Sequence, residues 1–263
     1  MHISNTVAEW MERRRAITAG RIGFVPTMGA LHRGHASLVE RCRGENEVVV
    51  VSIFVNPSQF NDLRDLERYP RTLDQDLAVL KDQGADEVLM PAASELYPHG
   101  YRFRVEAENM TSVMEGAHRP GFLQGVMTIV MKLLNLVRAD RAYFGEKDYQ
   151  QLKIITDMVE DFFIPTEIIP CPTVREESGL AESSRNTLLP AEARRKASCL
   201  FRALTTAQDP AAARSVLEAA GFRVDYVEEH WGRRFAAARL EDVRLIDNVA
   251  LKEKDVTLSG CRQ

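Results

Sequence analysis

The stretch IGFVPTMGALHRGHASLVERCRGENEVVVVSIFV (residues 22–55) decides the fold. Its opening, IGFVP (22–26), predicts a short buried strand, and apolar residues at close to helical spacing predict a helix over 34–43. The segment EVVVVSIFV (47–55) is almost continuously apolar, as a strand covered on both faces must be. A strand, a glycine-containing turn, a helix and a second strand predict a βαβ unit with a right-handed crossover.

The same alternation continues along the chain and sets the expected domain organisation. Further helices are predicted over 6–16, 72–82, 123–137, 149–162, 191–207 and 211–220. Further strands are predicted over 87–90, 141–144, 166–171, 223–228, 234–239 and 243–246. We therefore expect an α/β protein with a Rossmann-like parallel-sheet domain over 1–176 and a smaller, lid-like α+β domain over 177–263.

The composition is typical of a globular protein and lacks the charge pattern of a nucleic-acid-binding protein. Of the 263 residues, 45% are hydrophobic and 27% are charged, and the formal net charge is −4. We expect no nucleic-acid partner, although a few local cations can still bind a small anionic ligand.

Neither a targeting segment nor a membrane span is expected. Residues 1–20 contain charged side chains and no apolar signal-peptide core, and no run of about 18 uncharged apolar residues occurs. The cysteines are widely spaced without a CxxC pattern, so we expect neither a disulfide framework nor a zinc site from Cys42, Cys171, Cys199 and Cys261. These features predict a cytoplasmic protein with reduced thiols.

The turn VPTMGALHRGH (25–35) carries the main functional signal. It begins at the carboxyl end of a predicted strand, where open parallel sheets bind ligands. Gly29 and Gly34 permit close approach of the backbone to a ligand, and the helix that opens at Gly34 offers free N–H groups to phosphate. The imidazoles of His32 and His35 can donate to phosphoryl oxygens. A His-x-x-His metal site is the alternative, but no nearby cysteine or third histidine completes it.

The HxGH motif after the first strand resembles the nucleotidyltransferase superfamily, which includes cytidylyltransferases and class I aminoacyl-tRNA synthetases. A larger set of motifs, in order over about residues 3 to 249, resembles the pantothenate synthetase family of pantoate–β-alanine ligases. These motifs are VPTMGALHRGH (25–35), SIFVNPSQF (52–60), YPRT (69–72), EGAHRPG (115–121), FGEKDYQQL (144–152), PTVRE (172–176), SSRN (183–186) and RLIDN (244–248).

The resemblance implies an ATP-dependent ligase that condenses pantoate with β-alanine and releases AMP and pyrophosphate. A carboxylate is a poor acyl donor, so pantoate first attacks the α-phosphorus of ATP and forms pantoyl adenylate. Positioning and cationic stabilisation are the main means of catalysing such a phosphoryl-centred step. The family also implies Mg²⁺ as a cofactor and a homodimer formed through the N-terminal domain.

The resemblance assigns catalytic roles to His32, His35, Lys147 and Arg185. Lys147 lies in a turn after a predicted strand, and Arg185 lies in SSRN, which resembles the mobile KMSKS-type loop that closes over the triphosphate. The full set of expected ATP contacts is Met28, Gly29, Ala30, Leu31, His32, Arg33, Gly34, His35, Gly145, Glu146, Lys147, Asp148, Val174, Glu182, Ser183, Ser184 and Arg185.

Two neutral amides are expected to bind pantoate. The family assigns Gln59 and Gln151 to this substrate, and an amide suits its hydroxyl groups because it donates and accepts hydrogen bonds at once. Met28 is expected to pack on the apolar body of pantoate. For Mg²⁺, Asp76 is the best match to the family position, with Asp74 and Asp148 as neighbouring candidates.

Two departures from the family pattern leave other functions open. Glu182 stands before SSRN where the family usually has Leu or Met, and a carboxylate facing the triphosphate would be repulsive. The link between the predicted strands 223–228 and 234–239 is also shorter than is usual in the family. These departures favour one alternative, a nucleotide-binding regulator that has lost catalysis. The other alternative, a cytidylyl- or adenylyltransferase of the same superfamily, shares the HxGH motif.

Overall fold

The computed structural model describes residues 1–18, 20–61 and 63–251. Its strands are β1 (His2–Ser4), β2 (Ile22–Thr27), β3 (Val48–Ile53), β4 (Glu87–Leu89), β5 (Arg141–Gly145), β6 (Glu167–Cys171), β7 (Arg223–His230), β8 (Arg233–Leu240) and β9 (Val243–Ala250). Within these residues the first six strands form one parallel sheet in the order β1-β4-β3-β2-β5-β6, and the last three form an antiparallel sheet in chain order. The predicted α/β fold with a smaller α+β part is confirmed.

The helices of the structure match the helices predicted from apolar periodicity over most of the chain. They are α1 (Val7–Ala16), α2 (Arg33–Glu45), α3 (Leu63–Arg68), α4 (Leu73–Asp82), α5 (Ala93–Leu96), α6 (Met114–His118), α7 (Phe122–Val137), α8 (Tyr149–Asp161), α9 (Ala191–Ala197), α10 (Cys199–Thr206) and α11 (Pro210–Ala219). The prediction of one helix over 191–207 is wrong, because the helix is interrupted at Ser198. The Ser198 hydroxyl donates to the Arg195 carbonyl oxygen at 2.9 Å, but the same kind of bond occurs inside the unbroken α8, from Thr156, so it does not by itself account for the break.

The large sheet is buried on both faces, as the apolar run of β3 requires. Val50 packs in a cluster with Phe24 and residues of α7, whereas Val49 and Val51 pack in a second cluster with residues of α2 and α4. Successive side chains of a strand point to opposite faces, so both faces of β3 need apolar residues.

The strand order places the predicted functional turns at one point of the sheet. The chain runs from β2 to its neighbour β3 on one side, whereas β5 adds on the other side of β2. The strands are parallel, so the turns that follow β2 and β5 leave the same edge in diverging directions. This divergence is the topological switch point at which open α/β sheets bind ligands.

The C-terminal sheet has an apolar core of its own, formed with α10 and α11 around Leu200, Leu204 and Leu217. The predicted domain boundary after residue 176 stays a prediction. Residues 252–263, at the end of the predicted second domain, lie outside the described residues, and so does Cys261. The other three cysteines are free and buried. No helix in the described ranges is long and apolar enough to span a bilayer.

A buried ion pair joins helix α6 to the C-terminal sheet. Glu115 of α6 accepts hydrogen bonds from Arg244 of β9 at 2.7 and 2.8 Å and from the Tyr226 hydroxyl at 2.9 Å. Burial alone would raise the pKa of Glu115, but the bonds and charge of Arg244, together with the charge of Arg119, outweigh burial and leave the pKa below its usual value. The ionised carboxylate therefore holds α6 against the C-terminal sheet.

We expect Glu115→Gln to lower the free energy of unfolding by about 2 kcal/mol at neutral pH, because it removes one of the two carboxylates that pair with the buried Arg244 and leaves only Asp225. The pKa of Glu115 is lower in the folded state, so its contribution is complete above the unfolded pKa of about 4.3 and is lost as the pH falls through the folded value. Urea unfolding at several pH values measures this. The difference in the free energy of unfolding between wild type and variant is expected to become smaller only at acidic pH.

The matched control is Glu192→Gln, which removes the charge of an exposed carboxylate paired with Lys196 one helical turn away. We expect it to leave the free energy of unfolding nearly unchanged. Equal stability of Glu115→Gln and wild type at neutral pH would contradict a stabilising role for the buried pair.

Candidate active site

The turn after β2 contains two consecutive residues in the left-handed region. Gly29 has φ +76° and Ala30 has φ +51°, a conformation that residues other than glycine rarely adopt. Asp76 of α4 holds this turn, because its carboxylate accepts from the Ala30 N–H at 2.9 Å and from the Leu31 N–H at 2.8 Å. The Thr72 hydroxyl donates to the same carboxylate at 3.1 Å. Asp76 is 2% exposed, so these bonds are shielded from water.

The two histidines of HxGH cap helix α2. His32 is the N-cap, and its Nδ1 accepts from the Gly34 N–H at 3.1 Å, while Nδ1 of His35 lies 3.4 Å from the His32 N–H. This reciprocal arrangement is similar to a capping box, although the His32 ring accepts from the second N–H of the helix and not from the third. Since each Nδ1 accepts, each neutral ring carries its proton on Nε2. The rings lie 4.1 Å apart between centroids.

Both imidazoles are uncharged at neutral pH. Removal from water lowers the pKa of His32 to about 3, with further lowering from His35 and from the charge of Lys147. Removal from water and the charge of Lys147 likewise lower the pKa of His35 to about 4. Each ring therefore offers one Nε2–H donor, and the positive charge near the pair comes from Lys147.

Lys147 follows β5, on the other side of the switch point. It lies in a short 3-10 turn, Glu146–Asp148, and its Nζ is 3.7 Å from a carboxylate oxygen of Asp148. Its side chain is 19% exposed, so the ammonium remains accessible to a ligand. The structure thus brings three of the four predicted catalytic residues, the two histidines and Lys147, to one edge of the sheet.

The fourth predicted catalytic residue, Arg185, is engaged elsewhere. Its Nη2 lies 3.0 Å from a carboxylate oxygen of Asp65 in α3, and its guanidinium lies 5.8 Å from the ring centroid of Tyr69. Ser183 caps this SSRN segment by accepting from the Arg185 N–H at 3.3 Å. A phosphate that binds Arg185 in this conformation would compete with the Asp65 carboxylate.

Glu182 faces the first turn of α2. One of its carboxylate oxygens lies 3.8 Å from Arg33, and its side chain is only 11% exposed. A Cβ added to Gly34 would lie 3.6 Å from the Glu182 Cβ. The Glu182 N–H donates to the Val174 carbonyl oxygen at 3.0 Å, which joins two of the predicted ATP contacts. The side chain that departs from the family pattern is therefore largely buried beside the start of α2, with its carboxylate near Arg33.

The two predicted pantoate glutamines lie in the segments after β3 and β5, at the same edge of the sheet. Gln59 is 8% exposed and ends a 3-10 turn, Pro57–Gln59, that packs against α7. Gly125 allows this contact, because a Cβ there would lie 2.5 Å from the Ser58 carbonyl oxygen. Gln151 lines a cleft between the two sheets together with Lys147 and Phe235.

The described residues do not form a resident metal site. They contain no group of three or more His, Cys, Asp or Glu side chains that could hold an ion. Asp76, the predicted Mg²⁺ ligand, already accepts three hydrogen bonds with its two oxygens. Its assignment to Mg²⁺ stays a prediction, and the structure gives it a second task in holding the turn at 29–31.

A sequence model of the pantoate–β-alanine ligase family matches residues 2–250. The chain belongs to this family. The pantothenate synthetase of Bdellovibrio bacteriovorus is 53% identical over 233 residues, which cover 89% of this chain and 93% of that protein. These findings confirm the resemblance and favour a ligase over a nucleotidyltransferase or an inactive regulator.

Solved structures of family members share the whole fold. The pantoate–β-alanine ligase of Francisella tularensis, complexed with β-γ ATP and β-alanine, has a TM-score of 0.91 and 39% identity over 95% of this chain and 97% of that one. Pantothenate synthetase of Thermus thermophilus has a TM-score of 0.88 and 45% identity over 95% of this chain and 99% of that one.

Residues outside the predicted set also shape the site of this ligase. Asp65 pairs with Arg185, and Asn248 of β9 donates to the carbonyl oxygens of the Lys147 turn. Asn248 is the last residue of the RLIDN motif, so the sequence marks it as a candidate. The motif does not reveal which segment of the chain Asn248 contacts. Asp65 lies outside the motifs, and its partner is distant in sequence.

We expect Asp76→Asn to lower the free energy of unfolding by about 2 kcal/mol in the absence of ATP and Mg²⁺, because an amide cannot replace a carboxylate that accepts from two N–H groups. Thermal unfolding of the protein in chelator measures this. Asp74→Asn, an exposed neighbour in the same helix, is the control and should unfold like wild type. If Asp76→Asn destabilises the protein only when Mg²⁺ and ATP are present, the role in holding the turn is wrong.

Proposed function

We propose that the chain condenses pantoate with β-alanine at the switch point of its large sheet, through pantoyl adenylate. The observation that supports this site best is the pair of neutral, Nε2-protonated histidines at the start of α2, with Lys147 beside them. A helix N-terminus, two neutral donors and one cation form a suitable cradle for a polyphosphate.

In the first step, a carboxylate oxygen of pantoate attacks the α-phosphorus of ATP. A P–O bond forms to the carboxylate, the bond to the β-phosphate oxygen breaks, and pyrophosphate leaves with its electron pair. Negative charge grows on the phosphoryl oxygens, where His32 and His35 donate through Nε2–H and Lys147 supplies positive charge. A neutral imidazole does not give up its Nε2 proton to the departing pyrophosphate, so the histidines act as hydrogen-bond donors and not as general acids.

In the second step, the amine of β-alanine attacks the carbonyl carbon of pantoyl adenylate. An amide C–N bond forms, the C–O bond to AMP breaks, and the amine loses a proton. The cleft between the two sheets, lined by Gln151, Lys147 and Phe235, lies beside the phosphate site and suits the acyl group. Gln59 and Gln151 bind the hydroxyl groups of pantoate, and Met28 packs on its apolar body.

We expect the remaining ATP contacts to come from segments at the same edge of the large sheet. The backbone from Met28 to His35, the turn from Gly145 to Asp148, and the segment Glu182–Arg185 with Val174 surround the nucleotide. Arg185 exchanges Asp65 for phosphate when ATP binds. Glu182 competes with phosphate for the start of α2 and so weakens ATP binding, because like charges repel.

We propose that Mg²⁺ enters bound to the triphosphate of ATP. The segment after residue 176 acts as a lid over the nucleotide. The protein works in the cytoplasm, where thiols such as the free Cys42 stay reduced, and it forms a homodimer through its N-terminal domain.

We expect continuous AMP release only when pantoate and β-alanine are both present, because the amine is needed to clear pantoyl adenylate from the site. Pantoate alone should give at most one equivalent of adenylate per site. Chromatographic assay of AMP and pantothenate over time measures this. Repeated release of AMP without either acid, or a product that retains the nucleotide, would contradict the proposed function.

We expect His35→Ala to lower the single-turnover rate of pantoyl adenylate formation by about 10²–10³, because loss of one preorganised donor weakens the transition state more than the ground state. ATP affinity should fall much less. Rapid-quench measurement of adenylate, with circular dichroism as a folding check, tests this.

The control for this experiment is His99→Ala, which removes an exposed imidazole outside the proposed site. It should form adenylate at the wild-type rate. If folded His35→Ala also reacts at the wild-type rate, His35 is not a transition-state donor.

A further inference from the structure

Strand β9 of the C-terminal sheet reaches the turn that carries Lys147. Asn248, which is 1% exposed, donates both hydrogens of its side-chain amide, to the carbonyl oxygens of Glu146 and Lys147, at 2.9 Å each. The turn Glu146–Asp148 is a 3-10 segment of three residues, so it has little internal hydrogen bonding to define its shape. The side chain of a residue in another sheet therefore holds the main chain at Lys147.

The orientation of the Asn248 amide is determined by the chemistry of its neighbours. Nε of Arg233 donates to Oδ1 of Asn248 at 2.6 Å. A guanidinium only donates and main-chain carbonyls only accept, so rotation of the amide by 180° would break all three bonds. Arg233 is itself held, with its guanidinium 4.5 Å from the ring centroid of Tyr149 and 3.6 Å from a carboxylate oxygen of Glu146.

The main chain at Asn248 is also anchored. Its N–H donates to Asp247 at 2.8 Å, and Asp247, which is 3% exposed, pairs with Arg175 through two hydrogen bonds of 2.6 and 2.9 Å. Arg175 also donates to the Asn248 carbonyl oxygen at 3.3 Å. Displacement of Asn248 would disturb this buried ion pair, so Asn248 is a fixed support for the Lys147 turn.

We propose that Asn248 is a positioning residue that acts through Lys147. By fixing two successive carbonyl groups, it sets the direction in which the Lys147 side chain leaves the main chain at the edge of the cleft. This inference rests on the proposed function, in which Lys147 contacts the phosphates of ATP. It also links the C-terminal sheet to the first chemical step without direct contact between Asn248 and substrate.

A double-mutant cycle tests the inference. Asn248→Ala is expected to slow single-turnover adenylate formation about tenfold in the wild-type background and less than about twofold in the Lys147→Ala background. A residue with a merely structural role would slow both backgrounds equally. Asn248→Asp is the second variant, because it keeps the shape and the bond to Arg233 but removes both donors, and it should reproduce the coupled loss.

The control is Asn135→Ala, which removes an exposed asparagine of α7 whose amide donates to the Met131 carbonyl oxygen. It should react at the wild-type rate. Equal losses in the two backgrounds, or no loss in a folded Asn248 variant, would overturn the positioning role. If Lys147→Ala itself reacts at the wild-type rate, the failure lies in the proposed role of Lys147 and not in the contact made by Asn248.

Discussion

The carboxylate of Asp76 holds the turn on which the site depends. It accepts from the N–H groups of Ala30 and Leu31 and so compensates for two consecutive left-handed residues, Gly29 and Ala30. That turn leads directly into His32, the N-cap of α2, so the carboxylate holds the segment from which the helix begins. A contact between the turn after β2 and the distant helix α4 therefore sets the direction of the chain at the switch point.

The site separates two tasks that one charged group would otherwise combine. The histidines are removed from water and lie near Lys147, so the pKa of each is far below neutral and each ring keeps a single Nε2–H donor. The positive charge stays on Lys147, on the other side of the switch point. Neutral donors fixed by capping bonds need little reorganisation when charge develops during phosphoryl transfer.

The sequence predicts the part of the fold that depends on local pattern. The apolar run at 47–55 and the turn at 25–35 predict the central βαβ unit, because a short, continuously apolar run is typical of a strand that is buried on both faces. The strand His2–Ser4 has only three residues and gives no period to detect. The break between α9 and α10 at Ser198 falls within an apolar period that continues across it, so apolar spacing does not reveal it.

The sequence points to candidate site residues but not to the contacts that hold them in place. The motifs and their family resemblance place the histidines and Lys147 together, and the topology brings them to one edge. The bond of Asp76 to the turn and the bond of Asn248 to Lys147 join segments 46 and 101 residues apart, and only the folded chain brings them together. The partner of Arg185 is likewise set by tertiary structure.

Transfer of ¹⁸O from pantoate tests the central chemical claim most directly, namely that the switch point activates a carboxylate by joining it to the α-phosphorus of ATP. Pantoate labelled with ¹⁸O in its carboxylate is converted with ATP, Mg²⁺ and β-alanine, and the products are analysed by mass spectrometry. We expect one labelled oxygen in AMP and none in pyrophosphate, because the bridging oxygen of pantoyl adenylate leaves with AMP. Unlabelled AMP, or label in pyrophosphate or inorganic phosphate, would contradict the adenylate mechanism.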